Sequence, residues 1–346
     1  AGYLTINEGQ FNPSPTSTVA NYTGTPGVSP VTVTSPAHGL ATGDVITISG
    51  YGGISNYNGT FAVTAITPSA FTINATFLDN HSTKGMWSPG RPFGLSGANG
   101  DDLWLIESAP AGTLLTFVDH VEFAAARAGD SLGRWNNGGG TGTLVTMISP
   151  TLGSPNSGPR IGPVVISEVM YFPDPPDTLE FIELTNTGPQ DENLANWNLR
   201  GGVDFDFSAS HSIPAGAFLV IVGFDPDLDP AATAAFRAAH GIDATIPLLG
   251  PWTNGPLADA SGTVRIQRPD TPPAGDPGFH PQVTEDEAAY QATAPWPTAA
   301  AGNGHSLQRI VPAGFGNFPA SWIAAAPNPG DTLLGYDAWR SLVFGP

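Results

Sequence analysis

The sequence predicts an all-β protein, and three observations carry that expectation. Short segments that alternate apolar and polar residues recur along the chain, each bounded by turn residues, the pattern of strands that bury one face. The 346 residues include 43 glycines and 35 prolines but only 12% charged residues, against roughly 25% in an average domain, which suits many short strands joined by many turns. The second half of the chain then repeats stretches of the first half in the same order, so the strands fall into repeated units.

The elements follow in order. The opening AGYLTINEGQFNP gives a strand at Tyr3–Ile6 and a turn at Phe11-Asn12-Pro13. Alternation is next clear at Val31-Thr32-Val33-Thr34, at Val45-Ile46-Thr47-Ile48 and at Phe61-Ala62-Val63, and Asn58-Gly59 is a strong hairpin-turn signal. RPFGLSGANGDDLWLIESAPAG (91–112) reads as a turn, an alternating strand and a Pro-Ala-Gly turn. GPVVISEVMYFPDPPDTLEFIELTNTG (162–188) gives two strands around a Pro-rich loop, and LANWNLRGGVDFDFSASHSIPAG (194–216) adds two short ones. In EFIEL, Phe181 and Glu183 share one face while Glu180, Ile182 and Leu184 share the other. If only one face is buried, Glu180 belongs at a strand end. FLVIV (218–222) is a continuous apolar run suited to a central strand. DPAATAAFRAAHG (229–241) is Ala-rich, with Asp229 placed to cap and Pro230 at the first helical position, and predicts a short helix within a loop.

The repeat explains the opening. AGYLTINEGQFNP parallels AGAFLVIVGFDP (215–226), and 91–112 parallels GPLADASGTVRIQRPDTPPAG (255–275). AGDSLGRW (128–135) parallels NGHSLQRI (303–310), and SPNSGP (154–159) parallels APNPG (326–330). The strands that precede the second copy's Ala-Gly strand have no equivalent in the first, so Ala1 falls about halfway into copy one. An upstream segment of a longer precursor, or another chain, is expected to supply the missing strands.

VVISEVMY, EFIELTNTG, NWNLRGG and IPAGAFLVIV together resemble the lamin tail domain in its bacterial extracellular form. The resemblance covers 163 to about 330, with 1–23 and 87–160 as a partial copy. It implies immunoglobulin-like β-sandwiches that act as non-catalytic modules, often in tandem. His38-Gly39-Leu40, Thr42-Gly43-Asp44, Asn58-Gly59-x-Phe61 and Phe71-Thr72-Ile73 resemble a small β-barrel module of phage tail fibres and bacterial surface proteins. The expected architecture is thus two immunoglobulin-like β-sandwiches, the first lacking its N-terminal strands, plus an inserted small β-barrel. The boundaries read as 1–23 and 87–160 for the first sandwich, 24–86 for the insert, 161–330 for the second sandwich and 331–346 for a C-terminal tail. Insertion into a loop costs little.

Composition excludes several function classes. A net charge of −19, with ten arginines and the single lysine Lys84, argues against a nucleic-acid partner, which needs clustered cations. It also argues against anionic membrane surfaces. No apolar run reaches the roughly 18 residues of a membrane-spanning helix. Without cysteine there is no disulfide, zinc-thiolate site or cysteine nucleophile. The seven histidines show no HExxH spacing, and no nucleophile elbow or phosphate loop occurs.

Acidic clusters are the remaining candidates for chemistry. Asp225, Asp227 and Asp229 in DPDLDP could offer oxygens to calcium; helix capping in a solvated loop is the favoured reading. Asp174, Asp177, Asp101-Asp102 and the run Glu285-Asp286-Glu287 read as solvated turns. Among the tryptophans Trp87, Trp104, Trp135, Trp197, Trp252, Trp296, Trp322 and Trp339, most are expected in cores; an exposed aromatic platform would favour sugar or protein binding. The tail LLGYDAWRSLVFGP alternates apolar residues beyond the second sandwich, and Tyr336, Trp339, Leu342 and Phe344 are its candidates for docking on a partner chain. The expected function is that of a non-enzymatic structural protein of a bacterial surface, fibre or adhesive assembly, secreted or at the cell surface. The competing reading is a carbohydrate- or protein-binding accessory portion of a larger secreted enzyme. The expected partners are further copies of the chain, by strand addition to the open edge of copy one, or a polysaccharide or surface protein.

Overall fold

The computed structural model describes residues 17–90, 95–109, 114–136, 142–174 and 177–331. They fall into two compact units divided between Leu95 and Ser96. The strand at Tyr3–Ile6 and the tail residues Tyr336, Trp339, Leu342 and Phe344 lie outside the described residues.

Seven strands build the first unit: β1 (Ser17–Thr18), β2 (Asn21–Thr23), β3 (Val31–Thr34), β4 (Val45–Tyr51), β5 (Gly59–Thr67), β6 (Ala70–Ile73) and β7 (Lys84–Pro89). Their order in the sheet is β1-β7-β4-β5-β6-β3-β2. The two edge strands are successive in the chain. Between them Val19 N–H donates to Gly85 O on β7, and Ala20 N–H donates to Thr34 O on β3. One short segment therefore bonds both edges, and the sheet curls closed. Alternation works as the sequence implies: in β3, Val31 and Val33 are buried while the threonines are half-buried. Tyr22 stacks on Tyr57 at 4.3 Å, and Trp87 packs edge-on to Phe71 and donates from Nε1 to Ser35 Oγ at 2.9 Å.

Two expectations need correction here. The closed sheet takes strands from Ser17 to Pro89, not 24–86, because Val19, Tyr22 and Trp87 are parts of its core. Asn58-Gly59 is not a tight two-residue hairpin. β4 and β5 pair from Val45↔Ala62 to Ile48↔Gly59, and Asn58 instead clasps Tyr51 with its amide. Its Oδ1 accepts from Tyr51 N at 2.9 Å and its Nδ2 donates to Tyr51 O at 3.0 Å, which closes a wider loop.

The second unit begins with two hairpins, β8 (Asp101–Ser108) with β9 (Leu114–Phe123), and β10 (Leu132–Trp135) with β11 (Thr143–Thr146). A sandwich follows. Its strands are β12 (Val164–Met170), β13 (Phe181–Asn186), β14 (Glu192–Asn193), β15 (Asn198–Gly201), β16 (Phe205–Asp206), β17 (Ser212–Ile213), β18 (Phe218–Val222), β19 (Leu248–Leu249), β20 (Ser261–Pro269), β21 (Gln282–Gln291), β22 (Ser306–Arg309) and β23 (Trp322–Ala325). One sheet runs β19-β18-β13-β12-β22-β23 and the facing sheet β16-β15-β20-β21. Ile166, Ile182, Leu184, Leu219 and Ile221 from the first meet Leu199, Val264, Ile266 and Tyr290 from the second, with Trp197, Trp252, Trp296 and Trp322 completing the core. This is an immunoglobulin-like sandwich, and FLVIV is indeed an internal strand, between β13 and β19.

The helix forms where expected, as α1 (Pro230–His240). Asp229 Oδ1 accepts from Ala232 N at 2.9 Å, and Gly241 ends the helix in the left-handed region at φ 67°, which glycine adopts without strain. Its role was not foreseen. Every residue of β13 is buried, so the strand does not bury one face only. Phe236 of α1 packs edge-on to Phe181 at 6.0 Å, and Met170, Val220, Val222 and Ile242 complete a second apolar cluster on the outer face of the sheet. Glu180 does precede the strand; it is buried and accepts from Leu257 N at 2.9 Å.

Candidate interaction surface

The hairpins β8–β9 and β20–β21 are built to one register. In β20–β21, Val264 pairs with Ala288, Arg265 with Glu287 and Ile266 with Asp286; the register then slips so that Glu285 is unpaired. In β8–β9, Leu103 pairs with Val121, Trp104 with His120 and Leu105 with Asp119; the register then slips so that Val118 is unpaired. Residues directly opposite share a face. Val264, Ile266 and Ala288 point into the sandwich core. The corresponding Leu103, Leu105 and Val121 of β8–β9 have no facing sheet among the described residues.

The consequence is an exposed apolar surface. Leu103, Trp104, Leu105, Ile106, Leu114, Leu115, Phe117 and Val118 are each 39–61% exposed. So many exposed apolar residues on one hairpin are unusual for the surface of a monomeric protein. The opposite face carries an aromatic group. Trp104 stacks on His120 at 3.7 Å and meets Phe117 edge-on at 5.3 Å, and its Nε1 donates to Asp102 Oδ2 at 3.1 Å.

An ion pair joins the hairpins in both places. In the sandwich, Arg309 on β22 pairs with Asp286 on β21, with both side chains buried. Together they hold the backbone of β12: Ile166 N–H donates to Asp286 Oδ2 at 2.9 Å, and Arg309 Nη1 donates to Ile166 O at 3.0 Å. In the first pair of hairpins Arg134 Nη2 on β10 meets Asp119 Oδ1 on β9 at 2.8 Å, with side chains 48% and 59% exposed.

A buried carboxyl pair is the sandwich's most perturbed chemistry. Glu168 and Glu183 stand opposite each other across β12 and β13. Glu168 Oε1 accepts from Ser306 Oγ, from Gln308 Nε2 at 3.3 Å and from Asn328 N at 3.2 Å. Glu183 accepts from Ser167 Oγ and from Gly330 N. Burial pushes Glu168 up to about 7 and Glu183 up to about 8, the second also through repulsion from the first. The pair thus pins the segment after β23 onto the sheet.

The run Glu285-Asp286-Glu287 is not a solvated turn. It lies in β21, where Glu285 and Asp286 are buried, because cations meet it on every side. Glu285 Oε2 is 3.3 Å from Arg127 and 3.5 Å from Arg268, and Glu287 Oε2 is 2.5 Å from Arg265. Burial raises the Glu285 carboxyl, and the two arginines oppose that rise. A cleft of about 270 Å³ opens beside this group, lined also by Arg160 and Asn317.

Asp225 and Asp229 are engaged with the backbone. Asp225 Oδ1 accepts from Asp227 N and Leu228 N, both at 3.0 Å, and Asp229 caps α1. Among the described residues no group of three or more His, Asp or Glu side chains is placed to hold a metal ion. Trp87, Trp197, Trp252, Trp296 and Trp322 are buried, while Trp104 and Trp135 are exposed. Sequence reasoning missed Glu168, Glu183 and the Asp286–Arg309 clamp. The signal for the clamp was present, since the arginine recurs in both SLGR and SLQR and an aspartate recurs in both partner strands.

No curated protein matches the chain. Residues 158–267, from just before β12 to near the end of β20, match the model of the Lamin Tail Domain family, a non-catalytic immunoglobulin-like fold.

Proposed function

We propose that the chain is a non-catalytic structural module of an extracellular or cell-surface assembly, working through association of the apolar face of β8–β9. The single observation that carries this reading is that face, with Leu103, Leu105 and Val118 exposed on a hairpin whose counterpart β20–β21 buries the corresponding side. Shared register, a shared bulge and the recurring Asp–Arg pair support reading residues 96–160 as an incomplete copy of the sandwich. The resemblance of 24–86 to surface-protein modules supports the extracellular setting. Sedimentation of the purified chain over a range of concentrations tests it. Association that rises with concentration, persists in high salt and is abolished by Leu105→Glu is expected; a monomer throughout would overturn the reading.

One observation favours a second reading, an accessory module that binds polysaccharide. The Trp104–His120 stack with Phe117 forms an exposed aromatic platform, with Asp102 beside it to bond hydroxyls. Retention on insoluble polysaccharide, lost in Trp104→Ala, would support it.

A further inference from the structure

In the sandwich, the Asp286–Arg309 pair does more than neutralise two charges. The carboxylate accepts the N–H of Ile166 and the guanidinium donates to the C=O of the same residue, so together they read the two backbone groups that one strand residue presents at its edge. Two residues further along, β12 enters the ladder with β22 through Glu168↔Gln308 and Val169↔Leu307.

The first pair of hairpins carries the same pair of side chains, and among the described residues no strand runs beside it. Asp119 and Arg134 occupy the corresponding register positions, and Gly133 and Leu132 occupy those of Gln308 and Leu307. Asp119 Oδ1 accepts from Arg134 Nη2 and from His120 N, both at 2.8 Å, and Arg134 Nη2 also donates to His120 O at 2.8 Å. Among the described residues, Asp119 Oδ2 and Arg134 Nη1 have no partner. The counterparts of these atoms, Asp286 Oδ2 and Arg309 Nη1, are the ones that hold Ile166. Among the described residues β10 pairs with β11 alone, which leaves its other edge open.

We infer that Asp119 and Arg134 form a clamp for an extended polypeptide strand. The occupant lies beside β10 and covers Leu103, Leu105 and Val121. Its chemistry is that of Val164–Met170: an apolar residue whose N–H meets Asp119 and whose C=O meets Arg134, followed two and three positions later by residues that pair with Gly133 and Leu132. Complementarity favours a strand over a small molecule, because the N–H and C=O that a single strand residue presents at its edge match a carboxylate and a guanidinium side by side. The apolar side chains beneath match the occupant's alternate residues. This inference rests on reading residues 96–160 as an incomplete sandwich.

The test uses the whole chain and a labelled peptide of residues 162–173, GPVVISEVMYFP, read by fluorescence anisotropy. Saturable one-to-one binding is expected. N-methylation of the peptide at the Ile166 position, which deletes the N–H that Asp119 accepts, is expected to weaken binding about tenfold or more, as loss of a hydrogen bond to a charged group does. Methylation at Gly162, outside the strand, leaves binding unchanged. Asp119→Asn and Arg134→Ala weaken it by a similar factor; both side chains are half-exposed, and the methylated peptide repeats the test without altering the protein. Equal affinity for the two methylated peptides would overturn the clamp. If the chain self-associates through β8–β9 but ignores the peptide, hairpin-to-hairpin pairing of two copies is the occupant; the inference then falls while the proposed function stands. If the peptide binds a chain that never associates, the inference stands and self-association falls.

Discussion

Replacing Glu183 by glutamine should make the sandwich more stable at alkaline pH. In the folded chain Glu183 is held at about 8 and Glu168 at about 7, against 4.5 for a free carboxyl. Between those limits the folded state keeps protons that the unfolded chain releases, so stability falls as pH rises from about 5 to about 9. For Glu183, a rise from 4.5 to about 8 corresponds to about 5 kcal/mol. The two carboxyls repel each other, so part of that figure belongs to the pair, and about 3–5 kcal/mol is expected on removing one charge. Glutamine keeps the geometry. Its Oε1 can accept from Gly330 N, and its Nε2 can donate to Ser167 Oγ, whose hydroxyl still reaches Glu183 O at 3.3 Å. The assay is urea unfolding followed by pulsed hydrogen exchange at β12 and β13, which isolates this sandwich from the seven-stranded unit. The parent should lose stability steadily from pH 5 to 9. Glu183→Gln should match it within about 1 kcal/mol at pH 5 and exceed it by about 3–5 kcal/mol at pH 9. A parent whose stability is flat over that range, with a variant destabilised equally at every pH, would refute the reasoning.

Further expectations concern the clamp, the helix and the outer cluster. Asp286→Ala leaves Arg309 buried and unpaired and should cost about 3–5 kcal/mol, whereas Asp119→Ala breaks an exposed pair and should cost under about 1 kcal/mol; denaturant midpoints compare them. Asp229→Ala removes the cap of α1 and should cost about 1 kcal/mol, with the loss confined to hydrogen exchange within Pro230–His240. Phe236→Ala should cost about 3–5 kcal/mol, because Phe236 is the buried aromatic through which α1 covers the outer face of β13; a loss below about 1 kcal/mol would mean that the helix is not part of the sandwich's support.

Periodicity and turn chemistry made most of the fold legible. Val31-Thr32-Val33-Thr34 alternates as a half-buried strand must, and Asp229-Pro230 with Gly241 brackets the one α-helix among the described residues. The register shared by the hairpins was only half within reach, because the similar stretches 91–112 and 255–275 hold β8 and β20 but not their partners β9 and β21. The second apolar face of β13 was not legible. Phe181 and Glu183 alternate with Ile182 and Leu184, which signals one buried face; that the other face is also covered depends on where α1 returns in space. The buried carboxyls were hidden for a related reason. Glu168, Glu183 and Asp286 look like solvent positions until Ser306, Asn328, Gly330 and Arg309 arrive from distant parts of the chain. The likeness of the Asp119–Arg134 pair to Asp286–Arg309 was not legible either, because it emerges only when the paired strands are set side by side.

The most direct test of the account is native-state hydrogen exchange measured on β9 and β21 in the same sample, with and without the 162–173 peptide. These strands share a register, and one is covered while the other is open. The account predicts strong protection of Gln282–Gln291 throughout, and weak protection of Leu114–Phe123 that rises markedly when the peptide is added. Equal, strong protection of both strands in the free monomeric chain would contradict it.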